Sequence, residues 1–340
     1  MKKILMISLA LVIVLSAVLL AGSENRIGTA GAQELRIPVG SRGSAMGGAL
    51  VAGASGAEAI FWNPAGVVSG DVTEAMFSHL QYFADMKLEF VAVKTNIEGF
   101  GTLGISAKVL SVGDILKTTW DDQQGTAGEY FNPTFAVVGL TYARQLTDRV
   151  SFGATGCFIN ERIEQVSATG AAFDFGFTYV PGWRGLKFGV VVKNFGPEMT
   201  FTGPNFDNSV TAPGQGTNSA AKDFRAQCSS FELPSSVQFG AAWNPLDRPN
   251  EKNNLELSTV FQSNNFSQDE FRGGLEYSYN DMFFIRGGYA GSNQTDYIFG
   301  PSFGAGLKLQ WGATRVMFDY SWQQTEYFDD NQYFTVKLGF

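Results

Sequence analysis

The sequence predicts an all-β fold, a transmembrane antiparallel β-barrel of about 14 strands with an N-terminal plug. Three observations lead there. An uncharged apolar run follows Met1-Lys2-Lys3, segments of period-two alternation recur from Val72 onward, and the chain stops on such a segment at Phe340. The expected organisation is a signal peptide over 1–32, a plug over 33–70 and the barrel over 71–340.

The run from Ile4 to Gly22 is followed by Ala30-Gly31-Ala32, a small-residue pattern suited to cleavage, which reads as a secretory signal peptide. An uncleaved anchor is the competing reading, because the run is close to the shortest length that spans a bilayer. Charged residues make up only 16% of the chain and mean hydropathy is −0.02. Alternating strands hide their apolar face from a sliding average, so this balance suits a membrane barrel. The net charge of −8 argues against a nucleic-acid partner, which requires clustered Lys and Arg.

Alternation bounded by Gly, Pro, Asn and Asp places strands at roughly 72–80, 86–96, 100–110, 133–146, 149–162, 170–180, 185–195, 230–243, 254–264, 270–279, 282–290, 297–310, 313–324 and 332–340. In one of them Phe173, Phe175, Phe177 and Tyr179 stand opposite Ala172, Asp174, Gly176 and Thr178. One face suits lipid and the other a polar lumen. A soluble sandwich would alternate in the same way with its apolar side inward, and the signal peptide and terminal strand decide against it. Turns such as LTD and QWGAT are short, whereas the longest loops, near 111–132 and 196–229, fall on the opposite rim, as in bacterial barrels.

In the last strand Phe334, Val336, Leu338 and Phe340 share a face. This ending resembles the C-terminal signal read by the barrel assembly machinery of bacterial outer membranes. It implies residence in the outer membrane, in contact with its lipid, with both termini periplasmic.

Residues 33–70 read as neither a strand nor an amphipathic helix. They are crowded with Gly and Ala, which permit close backbone approach. Gly40, Arg42, Gly43, Met46, Gly47 and Gly48, followed by Trp62, Asn63, Pro64, Ala65 and Gly66, resemble the N-terminal signature of the PorV/PorQ family, within the wider FadL-like group of outer-membrane proteins. The resemblance implies a plug folded into the lumen of a fourteen-stranded barrel. Such a plug has a physical rationale: the lumen charges Asp174, Arg272, Glu276, Arg286 and Asp319 need partners, and Arg42, Glu58 and Asn63 are candidates. Pro64 is expected to fix a turn after Asn63, and Gly66 to release the chain into the first strand.

No catalytic set, metal site or cofactor is expected. His79 stands alone, so neither a triad nor a metal centre can be built on it. Asp121-Asp122 and Asp329-Asp330 lack the spacing of a calcium loop and read as solvated loop tips. Cys157 falls in an expected strand and Cys228 in a loop, which disfavours their pairing.

Two functions remain. PorV-like barrels belong to type IX secretion, in which they bind the C-terminal domains of cargo and pass them from a translocon to surface attachment. The loops at 111–132 and 196–229 are where that contact is expected. The alternative is a FadL-like passive transporter for a hydrophobic ligand, with Phe61, Trp62, Phe284 and Met317 as candidate lining residues.

Overall fold

The computed structural model describes residues 27–119, 121–210, 222–246, 252–292 and 297–340. Most of the 1–32 segment, and residues 211–221 of the long loop, lie outside the described residues.

The strands are β1 (Thr73–Gln81), β2 (Lys87–Ile97), β3 (Gly101–Ser111), β4 (Ile115–Leu116), β5 (Tyr130–Phe131), β6 (Thr134–Thr147), β7 (Val150–Ile163), β8 (Val166–Tyr179) and β9 (Leu186–Phe195) in the first half. The second half holds β10 (Asp207–Val210), β11 (Lys222–Arg225), β12 (Ser236–Trp243), β13 (Asn253–Asn264), β14 (Glu270–Tyr279), β15 (Phe283–Ser292), β16 (Phe299–Trp311), β17 (Thr314–Thr325) and β18 (Asn331–Gly339). Fourteen of them form a closed antiparallel barrel in chain order, while β4–β5 and β10–β11 are separate hairpins in the two long loops. Closure removes the sheet edge, and with it the unpaired backbone groups that hydrocarbon cannot solvate.

The terminal strand makes the seam. Phe334, Val336 and Leu338 stand across from His79, Phe77 and Ala75 of β1, and the backbones of Phe340 and Thr73 exchange two hydrogen bonds. Phe334 and Phe340 are exposed on the outside. The outer wall is aromatic and aliphatic throughout, with Phe271 65% exposed and Phe173, Phe175, Phe177 and Phe318 also exposed, while their strand neighbours Asp174 and Asp319 are buried inside. An exposed apolar surface this extensive is out of keeping with a soluble monomer.

Two strand limits differ from the sequence expectation by more than two residues. The strand expected over 230–243 begins at Ser236. Pro234 has no N–H for the ladder, so the residues before it leave the wall, and Phe231 instead bridges Met199 within the loop. The strand expected from 170 begins at Val166, because a two-residue turn with Glu164 at φ 53 brings β7 directly into β8.

Candidate functional site

Residues 33–70 fold as short helical turns, Gln33–Arg36, Ser41–Ala45, Gly56–Glu58, Ala59–Trp62 and Pro64–Val68. Most are buried, and their partners are inward-facing residues on opposite sides of the ring. The Ser41–Ala45 turn meets β15, β16 and β17, whereas Pro64–Val68 meets β6, β7 and β8. The segment therefore lies within the barrel. It fits because the wall carries glycine where the two backbones approach: a Cβ on Gly288 would collide with Met46, and one on Gly153 with Pro64.

Glu58 is a hub. Its Oε1 accepts from the Gly43 N–H at 3.0 Å, and its Oε2 pairs with Lys337 Nζ at 2.5 Å. Arg42 Nε lies 2.9 Å from Glu276 Oε2, and its Nη2 lies 3.3 Å from Glu256 Oε1. Burial works against the charged guanidinium, but the Glu276 and Glu256 carboxylates outweigh it and hold Arg42 above its ordinary value. Glu276 also binds Arg286 at 2.5 Å, and Arg286 binds Asp319 at 2.6 Å. Three of the five expected lumen charges, Glu276, Arg286 and Asp319, thus form one network with Arg42, Glu58, Glu256 and Lys337.

The other two stand elsewhere. Arg272 pairs with Glu270 at 2.7 Å, which also holds Arg36 of the inner segment at 3.3 Å. Asp174 accepts from the Asn194 N–H at 2.7 Å, at a bulge where the β8–β9 register shifts.

In the second half of the motif the Trp62 indole donates to the Val39 carbonyl at 3.1 Å. Asn63, expected as a partner for lumen charges, binds backbone instead. Its Nδ2 donates to Val51 O at 2.9 Å and Phe177 O at 3.3 Å, and its Oδ1 accepts from the Ala65 N–H at 3.1 Å. Pro64 opens the helical turn that follows. Gly66 does not release the chain: it sits inside that turn with Ala54 against its Cα, and the positive φ before β1 falls at Gly70, at 89°. Asn63→Ala leaves a buried carbonyl and N–H without partners and is expected to cost about 2 kcal/mol. The urea midpoint of the assembled barrel, at unchanged slope, measures it.

Beside this segment, toward the long-loop rim, a cavity of about 1040 Å³ opens. Aromatic side chains supply much of its wall, with Phe61, Tyr82, Phe135, Phe201 and Phe231 among them, and Lys193, Glu161, Glu270 and Arg272 stand at its polar side. Glu34 also faces it, and burial pushes that carboxyl above the ordinary range. Phe61 and Trp62 line the cavity, as expected for ligand-facing residues, but Phe284 and Met317 do not. Phe284 instead packs under the Arg286 guanidinium, 5.1 Å from its ring centroid.

A second hollow of about 40 Å³ lies on the other side of Phe61, lined by Lys108, Cys157, Asp174 and Lys193. Both lysines stack on Phe61, with Lys108 Nζ at 4.8 Å and Lys193 Nζ at 3.5 Å from its centroid. Lys108 also donates to the Ile37 carbonyl at 2.8 Å. The sequence expectation passed over both lysines, although strand alternation places each inward: Val109, next to Lys108, and Val190, three residues before Lys193, lie on the opposite face and are exposed.

Of the paired loop aspartates, Asp122 and Asp330 hold their loops together. Asp122 accepts from the Thr126 and Ala127 N–H groups at 2.9 and 2.8 Å, and those bonds keep its carboxyl below its usual range. Asp330 accepts from the Trp322 indole at 3.1 Å and the Thr325 N–H at 3.0 Å. His79 pairs with Glu89 at 2.6 Å, and Cys157 and Cys228 are free.

No known family model matches the chain, and no curated protein matches it in sequence. Solved structures do share its form. The Pseudomonas putida toluene transporter TodX superposes with a TM-score of 0.53 at 13% identity, covering 88% of this chain and 96% of its own. The Ralstonia pickettii toluene transporter TbuX gives 0.52 at 14%, covering 88% and 98%. A Pseudomonas aeruginosa FadL homologue gives 0.51 at 13%, covering 89% and 98%. Identity this low establishes the fold alone, and the fold is the closed fourteen-stranded antiparallel barrel of these FadL-like proteins.

Proposed function

We propose that the chain is a channel of the bacterial outer membrane that passes hydrophobic small molecules, with residues 33–70 as its plug. The observation that carries this reading is the aromatic-walled cavity of about 1040 Å³, set within a closed barrel and against the inner segment. Concave, mostly apolar hollows with a few polar groups are the usual form of a small-molecule site. The apolar outer wall supports residence in a bilayer, and two of the structural neighbours are described as toluene transporters.

The same features favour transport over secretion. A cavity of this size encloses a small molecule, whereas docking a cargo domain calls for a broad exposed face. Part of the loop assigned to that contact is instead turned onto the barrel, through the bridge between Thr202 and Ser167 of β8.

Reconstitution tests the proposal. Liposomes carrying the full chain are expected to take up toluene from the aqueous phase several-fold faster than protein-free liposomes of the same lipid. Uptake equal to that of the blank rejects the channel.

A further inference from the structure

Lys193 is a buried cation short of a partner. Its side chain reaches inward from the end of β9, it is 6% exposed, and it lines both the large cavity and the small hollow. Among the described residues its ammonium makes no hydrogen bond or ion pair, and its contact is the face of Phe61 at 3.5 Å. A ring face offers a cation part of what water gave it, and no acceptor.

The charges around the small hollow are unequal. Lys108 and Lys193 bring two cations there against the single carboxylate of Asp174, whose Oδ1 is already taken by the Asn194 N–H. Lys108 has the Ile37 carbonyl as well. Glu34, Glu161 and Glu270 also line the large cavity, but among the described residues none of them forms an ion pair with Lys193, and leaving a buried ammonium without a paired anion is costly.

Resting on the channel reading above, we infer that the cavity selects aromatic carboxylic acids, with the carboxylate on the Lys193 ammonium and the ring against Phe61, Phe201 and Phe231. Rings in the wall suit an aromatic body, which gains edge and face contacts beyond its buried area. The lysine distinguishes this ligand from a neutral hydrocarbon: a toluene-like molecule fills the apolar space and leaves the ammonium unpaired.

The test is calorimetric titration of the purified full chain in detergent with 4-butylbenzoate and with its neutral isostere 4-butylbenzamide, each corrected against the same micelles without protein. The wild type is expected to bind the acid at least about ten-fold more tightly than the amide, the value of one charge-assisted hydrogen bond. Lys193→Met is expected to lose that preference and keep its affinity for the amide, which also shows that the cavity has survived. Lys193→Gln replaces it if the methionine variant fails to assemble.

Equal binding of the two probes by the wild type overturns the charge selection and leaves the channel reading standing. Binding of neither probe overturns both. A variant that keeps the preference shows that another group reads the carboxylate, and the assignment to Lys193 fails.

Discussion

Gly47→Val is expected to destabilise the barrel by about 4 kcal/mol, the sum of a strained backbone and an overfilled contact. Gly47 holds φ at 64°, a conformation that a β-branched residue resists. A Cβ at this position would stand 2.6 Å from the backbone N of Tyr289, which is fixed in the ladders of β15. The wall cannot retreat without breaking inter-strand hydrogen bonds, so the inner segment must move. The Gly47 N–H bond to Ser302 Oγ, at 3.1 Å, is lost with it.

Urea titration of the refolded barrel measures the loss, and limited proteolysis of residues 33–70 shows whether the segment has been displaced. Gly273→Val serves as the control, because a Cβ there meets nothing within 4 Å. It is expected to stay within about 0.5 kcal/mol of wild type. If the two variants are equally stable, close packing of the segment against β15 contributes nothing to holding it.

The fourteen barrel strands were legible in the sequence because alternation is a local property: Phe173 to Tyr179 or Val316 to Trp322 declare two faces without reference to any other strand. Limits failed where the deciding contact was distant, as at Ser236, whose pairing with Lys193 and Asn264 fixes where β12 starts. Arg42 and Glu58 were readable as partners for an inward charge, since an ionic group in a Gly- and Ala-rich segment needs compensation. Which charges they meet was not readable.

Glu276 reaches Arg286 across β14 and β15, and Arg286 reaches Asp319 from β15 to β17, so the pairing depends on the register of four strands. The cavity was less legible still. Its wall draws Phe201 and Phe231 from a loop whose path is set by an isolated bridge between Met199 and Phe231, and no periodicity announces such a contact.

Arg286→Met is expected to cost about 3–5 kcal/mol, the range for removing one partner of a buried ion pair. The Arg286 and Asp319 side chains are both 0% exposed and lie 2.6 Å apart. Without the guanidinium, Asp319 keeps only the distant Lys337 ammonium at 3.7 Å, and Glu276 keeps Arg42. Methionine fills much of the arginine stem's volume, so the cost is chiefly that of stranding a carboxylate in a site from which water is excluded.

The double variant Arg286→Met with Asp319→Asn separates that cost from packing. Neutralising the stranded carboxylate is expected to restore most of the lost stability, giving a coupling energy well above the about 0.5 kcal/mol seen for independent sites. Urea unfolding of the four proteins in one lipid closes the cycle. A single variant within about 0.5 kcal/mol of wild type would mean that water solvates Asp319 once the guanidinium is gone. The network would then orient the inner segment without stabilising the wall.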